Sequence, residues 1–541
     1  MNAMSKLAIL PEGEATTNCR PKPALHVTQG AEGGVGARQF KGRAAVITLG
    51  CAKNHVDSEV MLGVLRAKGF EIVSQVTDAD VAIVNTCGFL QSAVEESIDC
   101  ILDVAELKRT GRLRKLVVAG CAVERYRDPS GKHQSMQEAL PEVDAFISVN
   151  EVLSVADVAV IDKSDSVIAD RPAGVSSVPF AELLGDAARP YFLYDDSMPR
   201  ELATRNHFAY VKVSEGCNRP CTFCIIPKIR GQMRSRSIDS VLREVEDLRA
   251  RGVREINLVA QDLTSFGLDL PADRYGSGRR LVALLEALDR QASIDWIRLL
   301  YAYPVGTDRA LLEAIRDLPR VVEYLDIPLQ HASERILTRM KRPIGSFAPR
   351  RMVQWMKEVA PQVAIRTTFI VGFPGETEED LAELEAFVAE GHFSSVGVFT
   401  YSQESGTPAG EMDEQISEVE KRERRDRIMA AQQGVVQRYL NGYLGKRLPV
   451  LVEGLHEDTE ALLVGRARFQ APEVDGTVIV NDLGAIDFVE PSVVERLIGT
   501  LREVEITEVA GYDLVGRLVG DPSDHSLSNN SEARCVYRGA V

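Results

Sequence analysis

The chain reads as an α/β protein made of three successive units: an N-terminal parallel α/β sheet domain, a central partial (β/α)6 barrel and a small C-terminal all-β barrel. Three observations carry this reading. Short β-branched runs alternate with helical patterns over 41–155, and six further strand–helix units follow over 206–440. From 443 to 518 the pattern changes to five short strands divided by turns such as Asp475-Gly476. Alternating strands and helices imply parallel sheets, whereas short strands alone imply a sandwich or a closed barrel.

Composition narrows the class. A length of 541 residues suggests three or four domains, and 45% hydrophobic with 26% charged residues is ordinary for a globular chain. No run approaches the ~20 apolar residues of a membrane span. The N-terminus lacks a signal-peptide apolar core, so a cytoplasmic protein is expected, with no membrane partner. Nine cysteines in such a chain point to metal ligands rather than disulfides. The net charge of −16 argues against a protein built to bind polyanions and suits a basic protein partner.

Residues 1–40 show no periodicity and read as a disordered tail; their Gly33-Gly34-Val35-Gly36 cluster is followed by no Gly-Lys-Ser/Thr. Three buried-strand runs then each end at a cysteine. Ala44–Leu49 leads through Gly50 to Cys51, Val81–Thr86 to Cys87, and Lys115–Gly120 to Cys121. Helical patterns occupy 55–68 and 92–109. Ligands of parallel sheets bind beyond the strands' carboxyl ends, so three separated thiols are aimed at one place. They can hold a cluster, or they can be ordinary core cysteines. Cys100 reads as core, and Cys19 and Cys535 fall in the tails. The irregular stretch 156–205, with Asp170-Arg171-Pro172 and Arg189-Pro190-Tyr191, reads as a linker.

Barrel strands are expected at 208–213, 254–260, 296–301, 323–327, 364–371 and 395–400. Chemistry in such barrels sits at the strand C-termini. There the first strand leads to Cys217-Asn218-Arg219-Pro220-Cys221-Thr222-Phe223-Cys224. Three thiolates on one loop can hold three corners of a cubane iron–sulfur cluster, leaving one iron open to a small molecule. A structural zinc site would need a fourth Cys or His, and none lies nearby in sequence. Later strands lead to Gln261-Asp262, Tyr301 and Tyr303, Gln330-His331, and Gly372-Phe373-Pro374-Gly375-Glu376. These residues can equally be helix caps, turns or a structural histidine. Arg298 and Arg366 lie within strands, where a buried guanidinium needs an anion, either a cofactor carboxylate or a protein Asp or Glu.

A mixed-charge helix is expected over 417–440, followed by strands at 448–453, 461–469, 476–481, 502–509 and 512–518. Residues 443–517 hold seven Lys/Arg against fourteen Asp/Glu. A phosphate-binding barrel should be basic, so this one suits a cationic partner. Residues 489–500 look inserted into the barrel, and 519–541 read as a disordered tail.

The Cys-x3-Cys-x2-Cys loop with Phe223 before its last cysteine resembles the radical S-adenosylmethionine enzymes. With the three upstream cysteines and a terminal TRAM-like barrel, the chain is similar to the methylthiotransferases of that superfamily, RimO type. The likeness rests on Thr48–Asn54, Ser214–Arg236, Tyr324–His331, Thr367–Glu376 and Arg468–Gly476, and it spans about 43–518. Ala52 departs from the proline the family often has there. The resemblance implies a 4Fe-4S cluster on Cys217, Cys221 and Cys224, whose open iron binds S-adenosyl-L-methionine and yields a 5′-deoxyadenosyl radical. It implies a second 4Fe-4S cluster on Cys51, Cys87 and Cys121 that delivers methylated sulfur. Phe223, Arg298, Arg366 and Gly372 are the residues expected beside the cofactor, and no catalytic side chain is assigned beyond the cluster ligands. The implied product is a methylthio group on the β-carbon of an aspartate in small-subunit ribosomal protein twelve, with the ribosomal subunit and an electron donor as further partners. The alternatives are methylthiolation of isopentenyladenosine in tRNA and a non-catalytic iron–sulfur RNA-binding protein.

Overall fold

The structure, a computed structural model, describes residues 40–127, 135–161, 192–291, 294–483 and 491–519. Most of both expected tails, Gly33–Gly36, Cys19, Cys535, and the linker motifs Asp170-Arg171-Pro172 and Arg189-Pro190-Tyr191 lie outside the described residues.

The N-terminal sheet contains β1 (Gly42–Thr48), β2 (Phe70–Ile72), β3 (Val81–Thr86), β4 (Lys115–Gly120) and β5 (Ala145–Ser148). All are parallel, in the order β2-β1-β3-β4-β5. The sequence missed β2 and β5, which are too short to show a pattern. The chain order reverses between β1 and β3, and such a switch point opens a crevice at the carboxyl edge of the sheet. Helix α1 (Ala52–Ala67) covers one face and α2 (Gln91–Arg109) the other. Polar Lys53, Asn54, Asp57, Ser58 and Glu59 are nevertheless buried on α1. A helix buried all round while carrying charge needs a partner on its outer side. That partner is the second sheet, whose Phe208, Tyr210, Trp296 and Tyr324 join the same apolar cluster as α1.

The second sheet holds six parallel strands: β6 (Phe208–Lys212), β9 (Glu255–Val259), β10 (Trp296–Leu299), β11 (Val321–Asp326), β12 (Ala364–Val371) and β13 (Ser395–Thr400). Their order is β13-β12-β11-β10-β9-β6, an open, partial barrel. Between β6 and β9 lies a small antiparallel pair, β7 (Ser214–Glu215) with β8 (Arg234–Ser235), which frames the cysteine loop. Helix Glu418–Asn441 leads to a closed barrel of β14 (Arg447–His456), β15 (Thr459–Ala467), β16 (Val478–Asp482), β17 (Leu501–Ala510) and β18 (Asp513–Leu518). The inserted sequence forms helix Pro491–Leu497 between β16 and β17.

The C-terminal barrel is joined to the central one by buried polar contacts. Arg466 reaches Glu255 at 2.6 Å, the Tyr210 hydroxyl donates to Glu473 at 2.9 Å, and the Tyr324 hydroxyl donates to Asp475 at 2.7 Å.

Candidate functional site

β1, β3 and β4 are adjacent, so their carboxyl ends bring Cys51, Cys87 and Cys121 together. Cys51 caps α1 and Cys121 opens helix α3 (Cys121–Arg125). Gly50 makes the close approach possible: a Cβ there would lie 2.9 Å from the Cβ of Cys87 and 3.1 Å from its Sγ. Burial and the neighbouring Cys51 and Cys121 push the Cys87 thiol up to about 12. Burial raises the Cys121 thiol despite Arg230. Burial opposes ionisation of Cys51 as well, but the Lys53 ammonium and the Arg230 guanidinium outweigh it and lower its pKa.

Cys217, Cys221 and Cys224 occupy the loop after β7. Backbone bonds hold it: Cys217 N–H to the Gly231 carbonyl at 3.1 Å, Thr222 N–H to Met340 at 3.1 Å, and Ala409 N–H to Thr222 at 3.0 Å. The Arg342 guanidinium lies 3.7 Å from the Cys221 sulfur and 4.2 Å from the Tyr303 ring centroid. Arg219 stands 4.0 Å from the same centroid and bonds Asp262 at 2.6 Å. Burial, with Cys221 and Cys217 nearby, pushes the Cys224 thiol up to about 12.

The two sets meet at the domain junction. Ile225, next to Cys224, shares a buried apolar cluster with Cys121. Arg230, six residues beyond Cys224, donates to the Cys121 sulfur from Nε at 3.3 Å and from Nη2 at 3.2 Å. It also binds Asn54 at 2.5 Å, Asp57 at 3.1 Å and Glu215 at 2.9 Å. Lys212 pairs with the same Asp57, and with Glu215 at 2.8 Å. Two cations thus meet two carboxylates in the interior, which such burial requires. Sequence reading passed over Arg230, Lys212 and Asp57; the one available hint was Lys212, a charge in the otherwise apolar run 208–213.

The structure gives the four residues expected beside the cofactor the following protein partners. Phe223 packs partly buried against the cluster of Ile336, Leu337, Met340 and Phe373 under the loop. Arg298 is fully buried, and its partners are protein atoms: Glu255 at 2.8 Å and the Arg468 carbonyl at 2.7 Å. Arg366 binds Asp326 at 2.7 Å. Of the two anions considered for these arginines, the structure supplies the protein carboxylate. Gly372 gives its N–H to Glu376 at 2.9 Å, and at φ +72° its bare Cα leaves room for the side chain of Lys421. It shapes a turn. His331 is buried, accepts at Nδ1 from Ser333 N–H at 3.0 Å and faces Glu376 at 3.5 Å, a structural role.

The donor chemistry fits iron–sulfur clusters. Each set offers three thiols and electrostatic contact between them. Among the described residues no three His, Cys, Asp or Glu side chains are arranged to hold one metal ion. A cluster does not require that, because each thiolate binds its own iron.

Comparison with known proteins follows the same division. Residues 43–148 match the family described as "Uncharacterized protein family UPF0004", 211–388 match the radical SAM superfamily, and 444–519 match the TRAM domain. A ribosomal protein uS12 methylthiotransferase RimO from Anaeromyxobacter sp. (strain K) is 45% identical over 482 residues, covering 89% of this chain and 94% of the relative. The RimO of Koribacter versatilis is 41% identical over 503 residues, covering 88% and 96%. Among solved structures, the radical S-adenosylmethionine methyltransferase TsrM from Kitasatospora setae aligns over 69% of this chain and 77% of its own, at 14% identity and a TM-score of 0.45. On the strength of the sequence relatives, the chain belongs to the RimO family of radical SAM methylthiotransferases.

Proposed function

We propose that the chain inserts a methylthio group at the β-carbon of an aspartate in ribosomal protein uS12, with 4Fe-4S clusters and S-adenosyl-L-methionine as cofactors. Cys217, Cys221 and Cys224 would hold one cluster, and Cys51, Cys87 and Cys121 the other. When bound, these groups supply the electron, the hydrogen-abstracting radical and the sulfur that protein side chains cannot. The chain's own part is placement. Arg230 holds the Cys121 sulfur in register with the barrel loop, and Arg219 and Arg342 fix Tyr303 beside Cys221.

The observation that carries this reading is the meeting of two three-cysteine sets across one interface, through Arg230 and Ile225. A single set would suit many radical enzymes. Two sets linked across one junction suit a reaction that makes a carbon radical and delivers sulfur to it. The fourteen acidic against seven basic residues of 443–517 support a basic protein as substrate rather than RNA. No helix among the described residues is long and apolar enough to cross a membrane, and we infer action in the cytoplasm.

The test is anaerobic reconstitution of the full chain, incubation with S-adenosyl-L-methionine, a reductant and either uS12 or tRNA, and mass analysis of both. One methylthio group on an aspartate of uS12 is expected. Modification of tRNA nucleosides with none on uS12 would overturn the reading.

A further inference from the structure

The buried cations of the junction have carboxylate partners, with Lys53 as an exception at the second cysteine set. Lys212 and Arg230 share Asp57 and Glu215, and Arg200 bridges Glu59 and Glu244. Lys53 is 7% exposed, and no carboxylate of the described residues pairs with it. Its Nζ instead lies 3.2 Å from the centroid of the Tyr301 ring. The Tyr301 side chain and the nearby Cys51 sulfur compensate part of the cost of burying the ammonium, but neither is a carboxylate. Arg342 also lacks a carboxylate, but it gives a hydrogen bond to the Pro328 carbonyl at 2.5 Å and stacks on Tyr303.

The position of Lys53 is informative. It follows Cys51 by two residues, while Tyr301 stands at the carboxyl end of β10, two residues before the Tyr303 held by Arg219 and Arg342. Lys53 therefore reaches from one cysteine set toward the other. Tyr301 is held in a left-handed conformation, φ 64°, unusual for a bulky residue. Its N–H is fixed to Asp326 at 2.9 Å, and its carbonyl accepts from Leu263 N–H at 3.1 Å. Strain held this firmly clusters at ligand sites.

We propose that Lys53 binds the side-chain carboxylate of the substrate aspartate. This rests on the function proposed above. In aspartate the β-carbon is bonded directly to the carboxylate carbon, so gripping the carboxylate fixes the reacting carbon one bond away. Such restraint is how a site converts encounter into a productive geometry. The substrate then brings a carboxylate to Lys53, and the ring of Tyr301 stabilises the ammonium until it does. The same pairing rejects asparagine, which has the shape but not the charge, and leaves an uncompensated ammonium behind.

The experiment measures equilibrium binding of uS12, and of uS12 with its target aspartate changed to asparagine, to the reconstituted chain and to its Lys53→Met and Lys53→Arg variants. Iron content and S-adenosyl-L-methionine affinity are recorded for each. The unaltered chain should bind the aspartate form about 10- to 100-fold more tightly than the asparagine form, as expected for a charge-assisted hydrogen bond. Lys53→Met should bind both forms equally at unaltered iron content, and Lys53→Arg should keep part of the preference. Equal binding of both forms by the unaltered chain overturns the proposal without recourse to any variant. A preference that survives in Lys53→Met also overturns it. Loss of iron or of cofactor affinity with the preference intact assigns Lys53 to the cluster or to the cofactor's own carboxylate instead. Failure of the unaltered chain to bind or modify uS12 would sink the underlying function, a different result from any of these.

Discussion

Cys217, Cys221 and Cys224 share one loop, while Cys51, Cys87 and Cys121 come from three strand ends. The loop carries its three sulfurs on one short stretch, and backbone bonds to Gly231, Met340 and Ala409, all of the central domain, fix it. The strand-end set exists only when the sheet has formed, and Arg230 of the docked barrel then donates to Cys121. One thiol differs too: against burial, Lys53 and Arg230 lower the Cys51 pKa, whereas burial raises Cys87, Cys121, Cys217 and Cys224. A site held within one domain depends on that domain; a site of three strand ends with an arginine from across the junction registers damage in both.

The largest effects should come from the ligands themselves. Cys221→Ala should abolish S-adenosyl-L-methionine cleavage, while Cys87→Ala should spare cleavage and stop sulfur insertion, both read by product analysis. Methylthiolation by either variant would break the division of labour. Iron should fall from about eight to about four per chain in each, given four irons per cluster.

Next in size is Arg230→Gln. It leaves Asp57 and Glu215 with one cation fewer and removes the donor to Cys121; losing one partner of a buried pair costs about 3–5 kcal/mol. Lower thermal stability and preferential loss of iron from the Cys51 set are expected by calorimetry and Mössbauer spectroscopy. Equal loss from both sets would show that the two are not separately dependent on the junction.

Acid should open the same junction. Burial disfavours ionisation of Glu59, but Arg200, His55 and the Ala203 N–H prevail and hold its carboxyl down at about 2, against an ordinary 4.5. Because the folded value lies below the unfolded one, this stabilisation is complete above about pH 4.5 and is lost as pH falls toward 2. It amounts to about 3 kcal/mol, and denaturant titrations at several pH values should show a shallower acid slope in Glu59→Gln. The smallest effect is expected from Thr222→Val, which removes one hydrogen bond to the Arg339 carbonyl at 3.0 Å. A loss of about 1 kcal/mol, with both clusters retained, would confirm that backbone bonds carry the loop.

Much of this was legible in the chain itself. Val81–Thr86 reads as a buried parallel strand because every position but Asn85 is apolar or small enough to be covered on both faces, and Asn85 is covered by hydrogen bonds to Asn54 and Ser58. The placement of three cysteines at one sheet edge followed from strand parity and direction alone. Arg298 shows where such reading stops. Its strand position announces a buried cation in need of an anion, yet Glu255 is 43 residues away and the Arg468 carbonyl 170. Nothing in the local pattern distinguishes them from a bound carboxylate. Arg230 is the same problem inverted: a charge in a short helix looks solvated until a sulfur 109 residues earlier is folded onto it.

The contacts of Arg466, Glu473 and Asp475 with the central barrel bear on how such enzymes can be recombined. A graft of a foreign C-terminal barrel cut at helix Glu418–Asn441 would remove the acceptors of Tyr210 and Tyr324 and a counter-ion of Glu255, leaving polar groups stranded in the inherited half. The workable seam does not coincide with the visible one. A chimera with a foreign barrel must keep the native stretch from Arg466 to Asp475, and so carry a piece of the old C-terminal barrel into the new protein.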